Sequence, residues 1–141
     1  MKKYYRLGHE SGDEFLCREV TWDGGLFCEA WYAHRKEWAH HPDAYGVFVG
    51  FISSDEISEK EAMKMTGGID TSTTYRMTKD NGKPKMLCRE KKDGRDSVCE
   101  RWFGPEKGWR EDKDAYDVFA EKIKSEVTWI GEADEFFGNE I

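Results

Sequence analysis

The chain has 141 residues, of which 38% are hydrophobic, 14% aromatic and 36% charged, and it carries a net charge of −7. Residues 1–70 hold 8 basic and 13 acidic groups and residues 71–141 hold 14 and 16, so both halves are acidic, which disfavours a general nucleic-acid binder and favours a protein partner with a basic surface. No run approaches the ~20 apolar residues that cross a bilayer, and Met1-Lys2-Lys3-Tyr4-Tyr5-Arg6 has no apolar stretch behind its charges; the expectation is a cytoplasmic protein with reduced thiols and no membrane partner.

The predicted elements repeat. Leu16-Cys17-Arg18-Glu19 returns as Leu87-Cys88-Arg89-Glu90, a shift of 71 residues. The same shift carries Cys28-Glu29 onto Cys99-Glu100, Trp31 and Trp38 onto Trp102 and Trp109, and Asp43-Ala44-Tyr45 onto Asp114-Ala115-Tyr116. A period of this kind marks one unit used twice. It predicts an α+β protein of two tandem repeats, residues 1–70 and 71–141. Each would be a small antiparallel β-sheet of three or four strands with one or two short helices packed on one face.

In chain order, Tyr4 to Leu7 reads as a short strand. Phe15 to Val20 alternates, with Phe15, Cys17 and Glu19 on one side and Leu16, Arg18 and Val20 on the other. Asp23-Gly24-Gly25 is a turn signal, and Leu26 to Tyr32 resumes as a strand. The second copy reads as strands over Thr74 to Met77, Met86 to Lys91 and Val98 to Phe103. Its Asp93-Gly94 is placed at the centre of a two-residue hairpin turn, which sets Cys88 opposite Cys99. Ala33 to His41 and Gly104 to Asp112 are polar except for Trp38 and Trp109, and read as loops pinned by one tryptophan.

Helices follow. Pro42 and Asp43 suit a first helical turn, as does Asp114. Tyr116, Phe119, Ala120 and Ile123 share one helical face, matched by Tyr45, Phe48, Val49 and Ile52. Ser58-Glu59-Lys60-Glu61 fits a capping box that opens a helix running to Met65. Its counterpart in the second copy begins near Gly131 or Glu132.

The order of these motifs resembles small, uncharacterised bacterial domains. Such domains open with Tyr-Tyr-Arg, here Tyr4-Tyr5-Arg6, and close on Ile-Ser-Glu-x-Glu-Ala, here Ile57-Ser58-Glu59-Lys60-Glu61-Ala62. Between these lie Glu29-Ala30-Trp31 and Trp38 with Asp43. The resemblance covers the first copy and less of the second. It implies a bacterial or mobile-element origin and a sheet with helices, and no activity.

No reactive constellation stands out. The four cysteines lack the close pairs of a zinc site and read as small buried apolar residues. His34, His40 and His41 have Pro105, Glu111 and Asp112 as their counterparts, so the shared fold does not require them, and they read as a solvated loop. No cofactor, metal or catalytic residue is assigned, and the protein is not read as an enzyme. Arg18 with Glu29, and Arg89 with Glu100, read as cross-strand ion pairs on a solvent face, each worth a few tenths of a kcal/mol.

Residues 79–95 carry seven Lys or Arg against three acids, and within this hairpin Lys85, Arg89, Lys91, Lys92 and Arg95 are the candidate contacts for phosphate. Trp22 and Trp129 have no tryptophan counterpart and are the candidates for an exposed recognition site. The functional expectation is a non-enzymatic protein-binding module, an acidic inhibitor or adaptor of bacterial or phage origin. The alternative is a nucleic-acid-binding accessory protein using the basic hairpin.

Overall fold

The computed structural model describes residues 2–8, 14–22, 25–42, 44, 54–94, 96–138 and 141, with the backbone alone at 7, 8, 14, 15 and 22. The predicted helical face of Tyr45, Phe48, Val49 and Ile52, and residues His9, Asp43 and Arg95, lie outside the described residues.

The chain divides into two compact units, Met1–Asp70 and Thr71–Ile141. The first contains β1 (Lys2–Gly8), β2 (Glu14–Trp22), β3 (Gly25–Tyr32), β4 (Glu37–His40), β5 (Asp55–Ile57) and α1 (Glu59–Thr66). The second contains β6 (Ser72–Asp80), β7 (Lys83–Asp93), β8 (Asp96–Trp102), β9 (Trp109–Glu111), α2 (Lys113–Phe119), β10 (Glu126–Thr128) and α3 (Ile130–Phe137).

The expected α+β arrangement of two repeats with helices on one face does not hold. Among the described residues strand far outweighs helix, ten strands against three short helices. In the first unit the strand order is β5-β1-β2-β3-β4, and in the second β10-β6-β7-β8-β9. Neighbouring strands within each unit pair antiparallel.

The helix placement also differs from expectation, and side-chain alternation explains why. Successive residues of a strand point to opposite faces. On β7, Met86 and Cys88 pack with Cys99, Ala115 and Val118 beneath α2. Leu87, between them, packs with Ala133 of α3, with Trp102 and Trp109 alongside. The second unit's sheet is therefore covered on both faces.

The register keeps the shift of 71. Tyr4 pairs with Arg18 and Ile57, and Arg18 with Glu29. Tyr75 pairs with Arg89 and Thr128, and Arg89 with Glu100. The closing helices obey it too: α1 begins at Glu59 and α3 at Ile130. Ser58 caps α1 by accepting from the Glu61 amide at 3.1 Å, and Gly67 ends it in the left-handed region at φ 71, where glycine has no Cβ penalty.

Three local expectations need correction. The turn of the β7–β8 hairpin is centred one residue later, with Asp93 opposite Asp96. Gly94 supplies the positive φ, 63, that the first central position of such a turn requires. Cys88 thus faces Arg101, and Cys99 faces Glu90. The segments expected as loops around Trp38 and Trp109 contain strands β4 and β9, and Trp38 is wholly buried while Trp31 is only half-buried.

On α2 it is Ala115 and Val118 that are buried, while Tyr116 is exposed and its hydroxyl donates to Glu111 Oε1. Positions 115 and 118 have the same spacing as 116 and 119. A small residue at 115 lets the helix sit close to the Cys99 strand, and aromatic bulk at 116 does not. The helix ends at Phe119, and Glu121 turns left-handed at φ 61.

Candidate functional site

The arginines of the repeated motif sit inside the protein. Arg18 has no exposed surface. Its Nε donates to Glu29 Oε1 at 2.8 Å, its Nη1 to Asp70 Oδ1, and its Nη2 to the Asp70 carbonyl at 3.2 Å. Its guanidinium lies 4.4 Å from the centre of the Trp38 ring, and Trp38 Nε1 donates to the Ile69 carbonyl at 3.1 Å. Burial works to raise the Asp70 pKa, but hydrogen bonds from Lys2 and Arg18 outweigh it and hold the carboxyl below its ordinary value.

The second unit repeats the centre: Arg89 Nε donates to Glu100 Oε1 at 2.9 Å, with the guanidinium 4.2 Å above Trp109. The two Trp pairs, Trp31–Trp38 and Trp102–Trp109, both have centroids 5.5 Å apart. The expectation of solvent-face ion pairs is corrected. Alternation implies a solvent face only where one face is left uncovered, and here the arginines lie under their own aromatic and carboxylate partners. They build the unit and are not presented to a ligand.

Two charged surfaces remain. On the first unit, β5 ends the strand order beside β1. Asp55 and Glu56 on it are exposed, as are Glu59 and Glu61 in the first turn of α1. Glu56 faces Tyr5 in register. Burial raises the Tyr5 phenol pKa, and the carboxylates of Glu56 and Glu19 raise it further. The tyrosine is flanked by negative charge.

On the second unit, a cleft of about 380 Å³ opens at the end of the β6–β7 hairpin on the α2 side, and its cations are Lys79, Lys85, Arg101 and Lys124. The segment bearing Lys124 is anchored next door, where Arg76 donates to Ser125 Oγ at 2.7 Å and to its carbonyl at 3.0 Å. Lys79 pairs with Glu126 at 3.1 Å, and Arg101 approaches Asp114 at 3.7 Å. Thr78, only 5% exposed, lines the cleft, and its Oγ1 and Arg101 Nε find no hydrogen-bond partner among the described residues. The hollow can hold an anion. Among the described residues that line it, none is a nucleophile paired with a base.

The residues singled out from the sequence are not brought together. Lys85 reaches the cleft. Arg89 is in the core. Lys91 lies 3.9 Å from Glu100 and Lys92 3.5 Å from Glu90, and Arg95 lies outside the described residues. Trp22 ends β2 opposite Gly25, its side chain undescribed. Trp129 is half-buried at the start of α3, lying over Gly131, where an added Cβ would come within 2.2 Å of Cη2. Lys79 lies at the start of the basic hairpin without being singled out in it, and Arg101 and Lys124 are not legible as site residues because they lie outside the hairpin in sequence and reach the cleft only through β8 and the segment after α2.

The Trp129–Gly131 contact gives a direct expectation. Gly131→Ala should destabilise by about 1–3 kcal/mol through overpacking, despite gaining about 1 kcal/mol of helix propensity. In a Trp129→Ala background the same change should stabilise. Urea unfolding of the four proteins in a double-mutant cycle measures both signs.

The four cysteines are buried and unbridged, and among the described residues no three His, Cys, Asp or Glu groups converge as a metal site. His34 is exposed, whereas His40 and His41 are half-buried, with the Tyr32 hydroxyl donating to the His40 carbonyl at 3.1 Å. Among the described residues no helix is long and apolar enough to cross a membrane. No protein-family model matches the chain, and neither a curated protein nor a solved structure matches it.

Proposed function

We propose that this protein is a non-enzymatic binding module, an acidic inhibitor or adaptor of bacterial or phage origin that works in the cytoplasm. Its partner is another protein with a basic surface, met by the acidic end of the first unit. The observation that carries this reading is Tyr5 flanked by Glu56 and Glu19 beside the exposed Asp55. A carboxylate pair around an aromatic ring suits a lysine or arginine of a partner, by charge and by cation–π contact. The high thiol pKa values, about 12 for Cys28 and Cys88, speak against cysteine nucleophiles.

The test is affinity capture from a bacterial lysate with the wild-type chain and with Asp55→Lys/Glu56→Lys. A stoichiometric protein retained by the first and lost from the second is expected. Recovery of no partner, or of one indifferent to the charge reversal, would refute the reading.

The second reading, a nucleic-acid-binding accessory protein using hairpin 79–95, draws support from the exposed lysines 79, 83 and 85 at its tip. It is weakened because Arg89, Lys91 and Lys92 are already engaged by carboxylates of their own sheet.

A further inference from the structure

We infer that the cleft of the second unit is a binding site for a small phosphate monoester. Four observations converge on this ligand class. The first is charge. Lys79 and Arg101 already meet Glu126 and Asp114, while Lys85 and Lys124 form no ion pair among the described residues. These two ammonium groups, with only the Asp80 carboxylate besides Asp114 at the lining to offset them, suit a group that carries about −1.5 to −2 at neutral pH.

The second is hydrogen bonding. Buried polar atoms are rarely left unmade. Thr78 and Arg101 line the cleft, and each keeps one such atom, Oγ1 and Nε, enclosed by the surrounding atoms; once the side chains turn outward a phosphate seated in the cleft supplies acceptor oxygens for both.

The third is shape. A hollow of about 380 Å³ falls within the range of small-ligand sites, roughly 300–1,000 Å³, and its cations gather at a point. A nucleic-acid strand requires cations along a track, and Arg89, Lys91 and Lys92 of the hairpin are engaged by carboxylates of their own sheet. Met86 and Ile123 also line the cleft and offer an apolar wall to the organic part of an ester.

The fourth is the comparison built into the chain. Seventy-one residues earlier, Lys79, Lys85, Arg101 and Lys124 have as counterparts Gly8, Glu14, Ala30 and Ser53, and Thr78 has Leu7. Every cation and the hydroxyl are missing from the other copy, so the shared architecture does not require them. Met86 and Ile123, by contrast, have apolar counterparts in Phe15 and Ile52.

The experiment is titration calorimetry of the full chain with phenyl phosphate, inorganic phosphate and a short oligothymidylate. Phenyl phosphate should bind one per chain and more tightly than inorganic phosphate. Lys85→Glu/Lys124→Glu, at exposed positions with circular dichroism as the folding control, should weaken it by about tenfold or more. Asp114→Asn should tighten it several-fold, because the carboxylate competes for Arg101. Absence of saturable binding, binding unaffected by the double charge reversal, equal affinity for inorganic phosphate, or tighter binding of the oligothymidylate would each overturn the assignment. The last result would pass the cleft to the nucleic-acid reading.

Discussion

Arg18→Ala is expected to destabilise the protein by about 3–5 kcal/mol, the range for breaking a buried ion pair from one side. The Arg18 and Glu29 side chains are 0% and 7% exposed. Removing the guanidinium takes from the buried Glu29 the ion pair that Arg18 makes with it and takes the stacked partner from Trp38. It also removes the Arg18 hydrogen bonds to Asp70, so that the end of the first unit keeps its ties through Lys2 and through the Trp38–Ile69 bond but loses those to the guanidinium.

Arg89→Ala should cost less, about 1–3 kcal/mol. The Arg89 and Glu100 side chains are 10% and 19% exposed, and Lys91 stands 3.9 Å from the same carboxylate. Arg18→Lys should recover only part of the loss, because an ammonium cannot reach two carboxylates and lie flat on an indole together. Urea unfolding followed by tryptophan fluorescence gives the three values. Equal costs at 18 and 89, or full rescue by lysine, would refute the account of the arginine as a buried hub.

How much of this was legible in the sequence follows from which signals are local. The strands of β1 to β3 and of β6 to β8 were readable because alternation and turn residues are near-neighbour properties. Ser58 was readable as a cap for the same reason. The shift of 71 was readable as plain identity, and it carried the tryptophans, arginines and glutamates to equivalent partners. Burial of Arg18 was not readable. Alternation alone sends a charged residue between Leu16 and Val20 to water, and its partners Trp38 and Asp70 lie 20 and 52 positions away.

The strand at Trp38 was hidden by its polar neighbours. Glu37 is buried because Arg35 pairs with it at 3.0 Å, a compensation that composition does not reveal. The helix placement failed for a related reason. The expectation of helices on one side rests on strands with one apolar face each, yet both Leu87 and its neighbours Met86 and Cys88 are buried, so the second unit's sheet has two inner faces. The basic hairpin was legible as charge. Its division between satisfied cations and a cleft was not, because Arg101 and Lys124 enter from outside it.

Stability is expected to fall steeply as pH rises above about 9, and the buried thiols are the cause. Burial pushes Cys28 and Cys88 from 9.0 up to about 12 and Cys99 up to about 11. At Cys28 the carboxylates of Glu19 and Glu29 add to burial. At Cys88 Arg101 opposes it, while Asp112 and Asp114 reinforce it. At Cys99 the charge of Glu90 adds to it, and the thiol donates to that carboxylate at 3.8 Å.

Each thiol keeps its proton in the folded chain and begins to lose it near pH 9 in the unfolded one. The unfolded state then binds fewer protons, and the sign of the linkage makes stability decrease with pH. The stabilisation is complete below pH 9 and is lost as pH climbs toward 11 or 12. The slope is at most about 1.4 kcal/mol per pH unit for each thiol, so about 4 kcal/mol per unit for three, against a total stability on the order of 5–15 kcal/mol.

Urea midpoints measured between pH 8 and 10 isolate the effect, because lysines ordinarily lose their proton only above about 10. Cys28→Ala/Cys99→Ala should lower the midpoint at pH 7 through lost packing and flatten its decline with pH. A wild-type midpoint level to pH 10, or a double variant that declines as steeply as the wild type, would show that these thiols do not hold their protons through the packing of the sheet.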